Sequence, residues 1–167
     1  MLRILAILLL LAAPAQAQQM TLDRMETILL ALDPDMERAG GAFRFTVEDV
    51  PVLIVTDARA DRMRAMVPIR LIDGLSEAEL LRMLQANFDS ALDARYAVAE
   101  GRLWAVYLHP LGALSGPQLI DGIGQTVNAA LTYGTLYSSG ALQFGRGDSR
   151  DEQRKLLDRL QERGRDL

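Results

Sequence analysis

The chain has no cysteine, one histidine (His109) and one lysine (Lys155) among its 167 residues, and each scarcity removes a class of chemistry. Without a thiol there is no disulfide, no thiolate metal ligand, no cysteine nucleophile and no point at which a bacterial lipoprotein signal could attach its lipid. Stability must then come from the core. A hydrolase triad needs a base beside its nucleophile, yet His109 precedes Pro110 at a predicted strand end, and Lys155 lies in the tail. No two acidic residues stand at a recognisable ligand spacing with His109. The close carboxylate pairs, Asp33 with Asp35 and Glu48 with Asp49, fall in predicted turns, where solvated turn residues explain them better than a glycosidase acid and base. Gly122-Ile123-Gly124 lacks the third glycine and the preceding strand of a dinucleotide fingerprint. No catalytic constellation, metal site or cofactor is expected.

Long hydrophobic runs are also missing. The opening MLRILAILLLLAAPAQAQQ has an apolar stretch of about ten residues, half of what a bilayer span takes. Its parts are those of a secretory signal: Arg3 as the positive end, residues 4–13 as the apolar segment, and Ala15-Gln16-Ala17 as a small-x-small cleavage site. Cleavage after Ala17 and export to the periplasm are expected, with no membrane contact beyond the signal. Losing Arg3 leaves 17 basic against 22 acidic side chains, a formal charge of −5, so no nucleic-acid surface is expected. Half the residues are apolar and about a quarter charged, a globular balance rather than a disordered one.

What is present reads as one domain over residues 18–137, followed by a small-residue linker and charged tail over 138–167. Residues 21–32 put Leu22, Met25, Ile28, Leu29 and Leu32 on one helical face, with Thr21 as N-cap and Asp33-Pro34 as stop. Gly40-Gly41 breaks the chain. FRFTVEDVPVLIVTDARADRMRAMVPIR follows as a three-strand meander, with Pro51 and Pro68 near strand ends. Ser76-Glu77-Ala78-Glu79 is a capping box for a second helix to about Ala91. Leu80, Leu81, Leu84, Phe88 and Leu92 recur at helical spacing and are expected to form its buried face. Two strands then flank Glu100-Gly101, a turn of hairpin length. Ser115-Gly116-Pro117-Gln118 opens a third helix through a second capping box; Gly122 and Gly124 weaken it, and close approach to a sheet is the expected return. The fold class is α+β: an antiparallel five-strand sheet with helices packed on it, order α-β-β-β-α-β-β-α plus a C-terminal charged helix.

The stretch Gly145-Arg146-Gly147-Asp148-Ser149 contains the tripeptide that integrins recognise. Ser149-Arg150-Asp151-Glu152 is a third capping box for a helix striped by Leu156, Leu157 and Leu160, so Asp148 and Ser149 have a structural reason to be there. Integrin binding through Arg146-Gly147-Asp148 is not expected.

Tyr96, Trp104 and Tyr107 lie on the last two strands. Trp104 and Tyr107 are an odd number of residues apart and point to opposite faces of a regular strand, which makes this hairpin the first place to look for a binding surface.

With this order of elements, the chain resembles the YbjN family and, more widely, the type III secretion chaperone-like fold. The echo is in residues 80–130: a second helix carrying Asn87, a hairpin with the Glu100-Gly101 turn, and a final amphipathic helix. The resemblance implies a homodimer that binds extended segments of other proteins on apolar sheet and helix surfaces, without covalent chemistry. Tyr96, Trp104, Tyr107, Leu119 and Ile123 are the expected partner-binding residues, with an envelope protein or a second copy as partner. The export signal and the charged C-terminal helix depart from the secretion chaperones, which work in the cytoplasm. The alternative is a periplasmic small-molecule-binding protein or enzyme whose site is assembled from scattered residues.

Overall fold

Helix α1 (Leu22–Leu32) starts where the Thr21 hydroxyl accepts from the Arg24 backbone N–H at 3.1 Å, and it buries Met25, Ile28, Leu29 and Leu32. Each such side chain contributes roughly 1.5–3 kcal/mol on full burial. The computed structural model describes residues 19–89, 92–133 and 150–164; the signal segment, the linker and the Gly145–Ser149 stretch lie outside them. Asp33 ends the helix and ties it to the sheet: the Thr46 backbone N–H and hydroxyl donate to its carboxylate at 2.8 and 2.9 Å. The Thr46 N–H above all holds the Asp33 carboxyl below its ordinary range.

The sheet has six antiparallel strands: β1 (Glu37–Ala39), β2 (Ala42–Val47), β3 (Val50–Asp57), β4 (Arg62–Leu71), β5 (Arg95–Ala99) and β6 (Arg102–His109). Their spatial order is β1-β2-β3-β4-β6-β5. This is one strand more than the sequence pattern predicts. Strand β1 carries no apolar alternation; charge holds it instead, through Arg38, which bonds Asp23 at 3.0 Å, bonds Glu26, and lies 5.5 Å over the Phe43 ring. Two-residue turns close three hairpins. Glu48 and Asp49 (φ 50° and 63°) and Glu100 and Gly101 (φ 52° and 68°) are all left-handed, as turns matched to strand twist require. Pro68 sits inside β4 rather than near its end, and the register shifts between Pro68 and Arg70, so a bulge absorbs the missing donor.

Alternation along the strands sends Phe43, Phe45, Val52, Ile54, Met63, Ala65, Val67, Ala105 and Tyr107 to one face, where they form a single core with α1 and with α3 (Gly116–Leu131). The Ser115–Gln118 capping box of α3 is complete. A Cβ on Gly122 would stand 2.4 Å from the Tyr107 ring, so this glycine lets α3 meet the sheet. Gly124 instead faces α4 (Arg150–Arg163), where a Cβ would stand 2.4 Å from Leu157. Helix α3 is thus covered by the sheet on one side and by Leu156 and Leu160 of α4 on the other.

The largest departure concerns α2 (Glu77–Asp89). Its Ser76–Glu79 capping box is present, but the predicted buried face is outside: Leu80, Leu81, Leu84, Phe88 and the following Leu92 are all exposed. The helix packs through Met83 and Ala86 against Tyr96 and Leu103, small contacts that leave its large apolar side chains to solvent.

Candidate functional site

The residues between the core positions of each strand line the other face of the sheet. Register aligns Leu53 of β3 with Met66 of β4 and Met66 with Val106 of β6. The neighbouring row aligns Pro68, Trp104 and Ala97, and the row on the other side Val55, Arg64 and Leu108. Helices α1, α3 and α4 join the core on the inner face, so among the described residues this outer face stays open, with Val55 41% and Leu108 54% exposed. It holds a shallow depression of about 470 Å³ lined by Leu53, Met66, Trp104 and Val106, with Arg64 and Glu100 also among its lining residues. The Trp104 Nε1–H donates to the Ala99 carbonyl at 3.1 Å, which satisfies the polar end of the indole and leaves its apolar body for contact.

A second apolar surface follows from how α2 is held. Asn87 donates to the Tyr96 carbonyl at 3.0 Å and accepts from the Tyr96 N–H at 2.7 Å, so its side-chain amide pairs with edge strand β5 as a further strand would. The Tyr96 hydroxyl donates to the Ala129 carbonyl at 2.8 Å. These bonds turn Leu81 (53% exposed), Leu84 (64%) and Phe88 (72%) outward as a stripe. Scattered apolar residues on a surface are ordinary; a contiguous stripe marks a contact site.

A polar hollow of about 410 Å³ lies between β6 and α3, bordered by Arg95, His109, Asp93 and Asp121. Several of its polar groups already have partners. Gln125 accepts from the Asp93 N–H at 2.8 Å, Gln161 donates to Asp121 at 2.7 Å, and the His109 Nδ1 lies 2.8 Å from the Pro110 carbonyl. Burial, and then the Asp93 and Asp121 charges, push the Tyr107 hydroxyl pKa up. Among the described residues no group of three or more acidic or histidine side chains is placed to hold a metal ion, and no helix is long and apolar enough to cross a membrane.

No protein-family model matches the chain, and no curated protein matches it in sequence. Solved structures do match. The Yersinia pestis type III secretion chaperone SycH, in complex with a stable fragment of YscM2, has a TM-score of 0.52 at 21% identity, over 67% of this chain and 95% of that chain. This chain shares the fold of the type III secretion chaperones. The HopA1–SchA chaperone–effector complex (TM-score 0.48, 13% identity, 57% of this chain and 77% of that one) and the ExsC–ExsE complex (0.42, 16%, 52% and 68%) are more distant likenesses.

Within this chaperone-like fold the five expected partner-binding residues separate. Trp104 is on the open face. Tyr96, Tyr107, Leu119 and Ile123 are buried: the tyrosines face inward on alternate strand positions, and Leu119 and Ile123 pack in the core. The surface expected around all five therefore narrows to Trp104 and gains Leu53, Met66 and Leu108, which sequence reasoning missed; Val106, as buried as Tyr96, lines the same depression. The signal was the run Leu103–Leu108, apolar at six successive positions, where a strand with one solvated face alternates.

Proposed function

We propose that this chain is an exported, dimeric, chaperone-like module that does no covalent chemistry and holds a partner protein on its outer sheet face. The observation that carries the reading is the register-aligned apolar floor of Leu53, Met66, Trp104 and Val106, on three adjacent strands, with Ala97 of a fourth beside it. A broad shallow face of this kind suits an extended protein segment, whereas small ligands favour enclosed pockets with convergent polar groups. The structure that shows the shared fold was solved as a chaperone in complex with a fragment of another protein, which supports a protein partner here. Periplasmic location rests on the signal-like opening, and kinship with the YbjN family on residues 80–130.

The α2 stripe is the dimer surface in this reading. Leu80 and Phe88 stand four residues to either side of Leu84, so the stripe is symmetric along the helix. A two-fold axis through Leu84 sets Leu80 of each copy against Phe88 of the other, the self-complementarity that an isologous interface needs. Partner and second copy thus use different surfaces. Light scattering on residues 18–167 is expected to give twice the chain mass, and Leu84→Asp to give a folded monomer, because that side chain is exposed and its loss leaves the core intact. A monomeric parent chain would refute the dimer; a variant that unfolds would refute the assignment of Leu84 to a surface.

A further inference from the structure

Strand β6 outruns its neighbour. The last register pair between them is Arg95 with Val106, so Leu108 and His109 border the polar hollow with no β5 residue opposite. Asn87 fixes which way the backbone faces. Tyr96 directs its N–H and C=O to that side chain, away from β6, so its neighbours Arg95 and Ala97 face β6 and are met by Val106 and Trp104. Two residues on from Val106, Leu108 faces the same way. Among the described residues its N–H and C=O have no strand partner on that side.

The side chains around the hollow are also incompletely paired. Tyr107 is only 6% exposed and lines it, yet among the described residues its hydroxyl has no hydrogen-bond partner, an exception for a buried polar group. The charges that act on that hydroxyl are those of Asp93 and Asp121. Asp121 accepts from Gln161 through one oxygen, and the Asp93 carboxylate is met by Gln125 Nε2 only at 3.5 Å. His109 stacks on the Tyr107 ring, centroids 6.0 Å apart. Arg95, the cation among the lining residues, already has its Nη1 against the Leu92 and Ala94 carbonyls. Free acceptors beside an engaged cation suit a positive guest, and the carboxylates are not grouped to share a metal ion.

We propose that the hollow takes a lysine or arginine side chain of the partner segment held on the outer sheet face. Leu108 joins the two places, because it lines both the outer depression and the hollow. A segment residue that pairs with the Leu108 N–H and C=O sets its side chain on the outer face beside Leu108. The next residue, alternating, sets its own toward the hollow. The segment is thus read as an apolar residue with a basic one directly beside it. A free organic cation would meet the carboxylates but not the backbone pair, which favours the segment. The inference rests on the outer face being where the partner is held.

The test selects random peptides displayed on phage against residues 18–167 and follows an enriched peptide by fluorescence anisotropy. Enriched peptides are expected to carry lysine or arginine next to an apolar residue. Asp93→Asn with Asp121→Asn is expected to weaken binding about tenfold or more, as for lost hydrogen bonds to a charged group. Added salt should weaken the parent and leave that double variant nearly unmoved. Tyr107→Phe keeps the ring and breaks no internal bond, so its melting temperature should not fall, while its peptide affinity should. Peptides that need Trp104 but show no basic preference and ignore the asparagine and phenylalanine variants would overturn this inference and leave the outer-face reading standing. Displacement of the peptide by an equal concentration of free L-arginine would assign the hollow to a small cation and also overturn it. No enriched peptide, or one indifferent to Trp104→Ala, would overturn both.

Discussion

Asn87 links fold and site with one side chain. Its amide satisfies both backbone groups of Tyr96 on an edge strand, where unpaired N–H and C=O groups would otherwise invite another strand, and in doing so it fixes how α2 is rotated. Asn87→Ala removes both bonds, at roughly 1–3 kcal/mol for such a loss. A fall of about 2 kcal/mol would move the urea midpoint down by about 1 M for an ordinary denaturant slope, and an unchanged midpoint would show that α2 is held by Met83 and Ala86 alone. Asn87 was legible in the sequence only as part of a resemblance. A side chain that pairs with a strand nine residues later leaves no periodic trace.

At the scale of elements, the sequence was most legible where a local rule acts alone. The Ser76 and Ser115 capping boxes and the Glu100-Gly101 turn lie where their residue types place them, because caps and turns are set by a few neighbouring residues. Helix α2 was read inside out: periodicity locates an apolar face but does not say whether the same chain covers it. Strand β1 was invisible because its three residues are held by Arg38 and not by apolar alternation. The glycines of α3 could be read as close approaches, though only the structure assigns Gly122 to the Tyr107 ring and Gly124 to α4. Gly122→Ala measures that approach. Alanine adds up to about 1 kcal/mol of helix propensity, but three Tyr107 ring atoms lie 2.4–2.8 Å from its Cβ, and overpacking costs about 1–3 kcal/mol. The clash outweighs the gain, so melting should fall by several degrees; a rise would mean that the ring and helix separate freely.

For the whole molecule, the described residues form a sheet with one face in the core and one in solvent, flanked by a helix whose leucines point outward. Without disulfides, such a chain depends on its core for stability, so two large apolar surfaces kept out of that core need a use beyond folding. In the proposed account the α2 stripe meets a second copy and the outer sheet face meets a partner, while the formal charge of −5 after signal removal keeps the assembly soluble. The most direct test of that account is a photo-crosslinking residue in place of Leu108, 54% exposed on the open face, in the full 167-residue chain, so that the proposed signal can export it, expressed in its own cells. The account predicts a discrete adduct with another envelope protein that disappears when Trp104→Ala is added. No adduct, or one that survives Trp104→Ala unchanged, would contradict it.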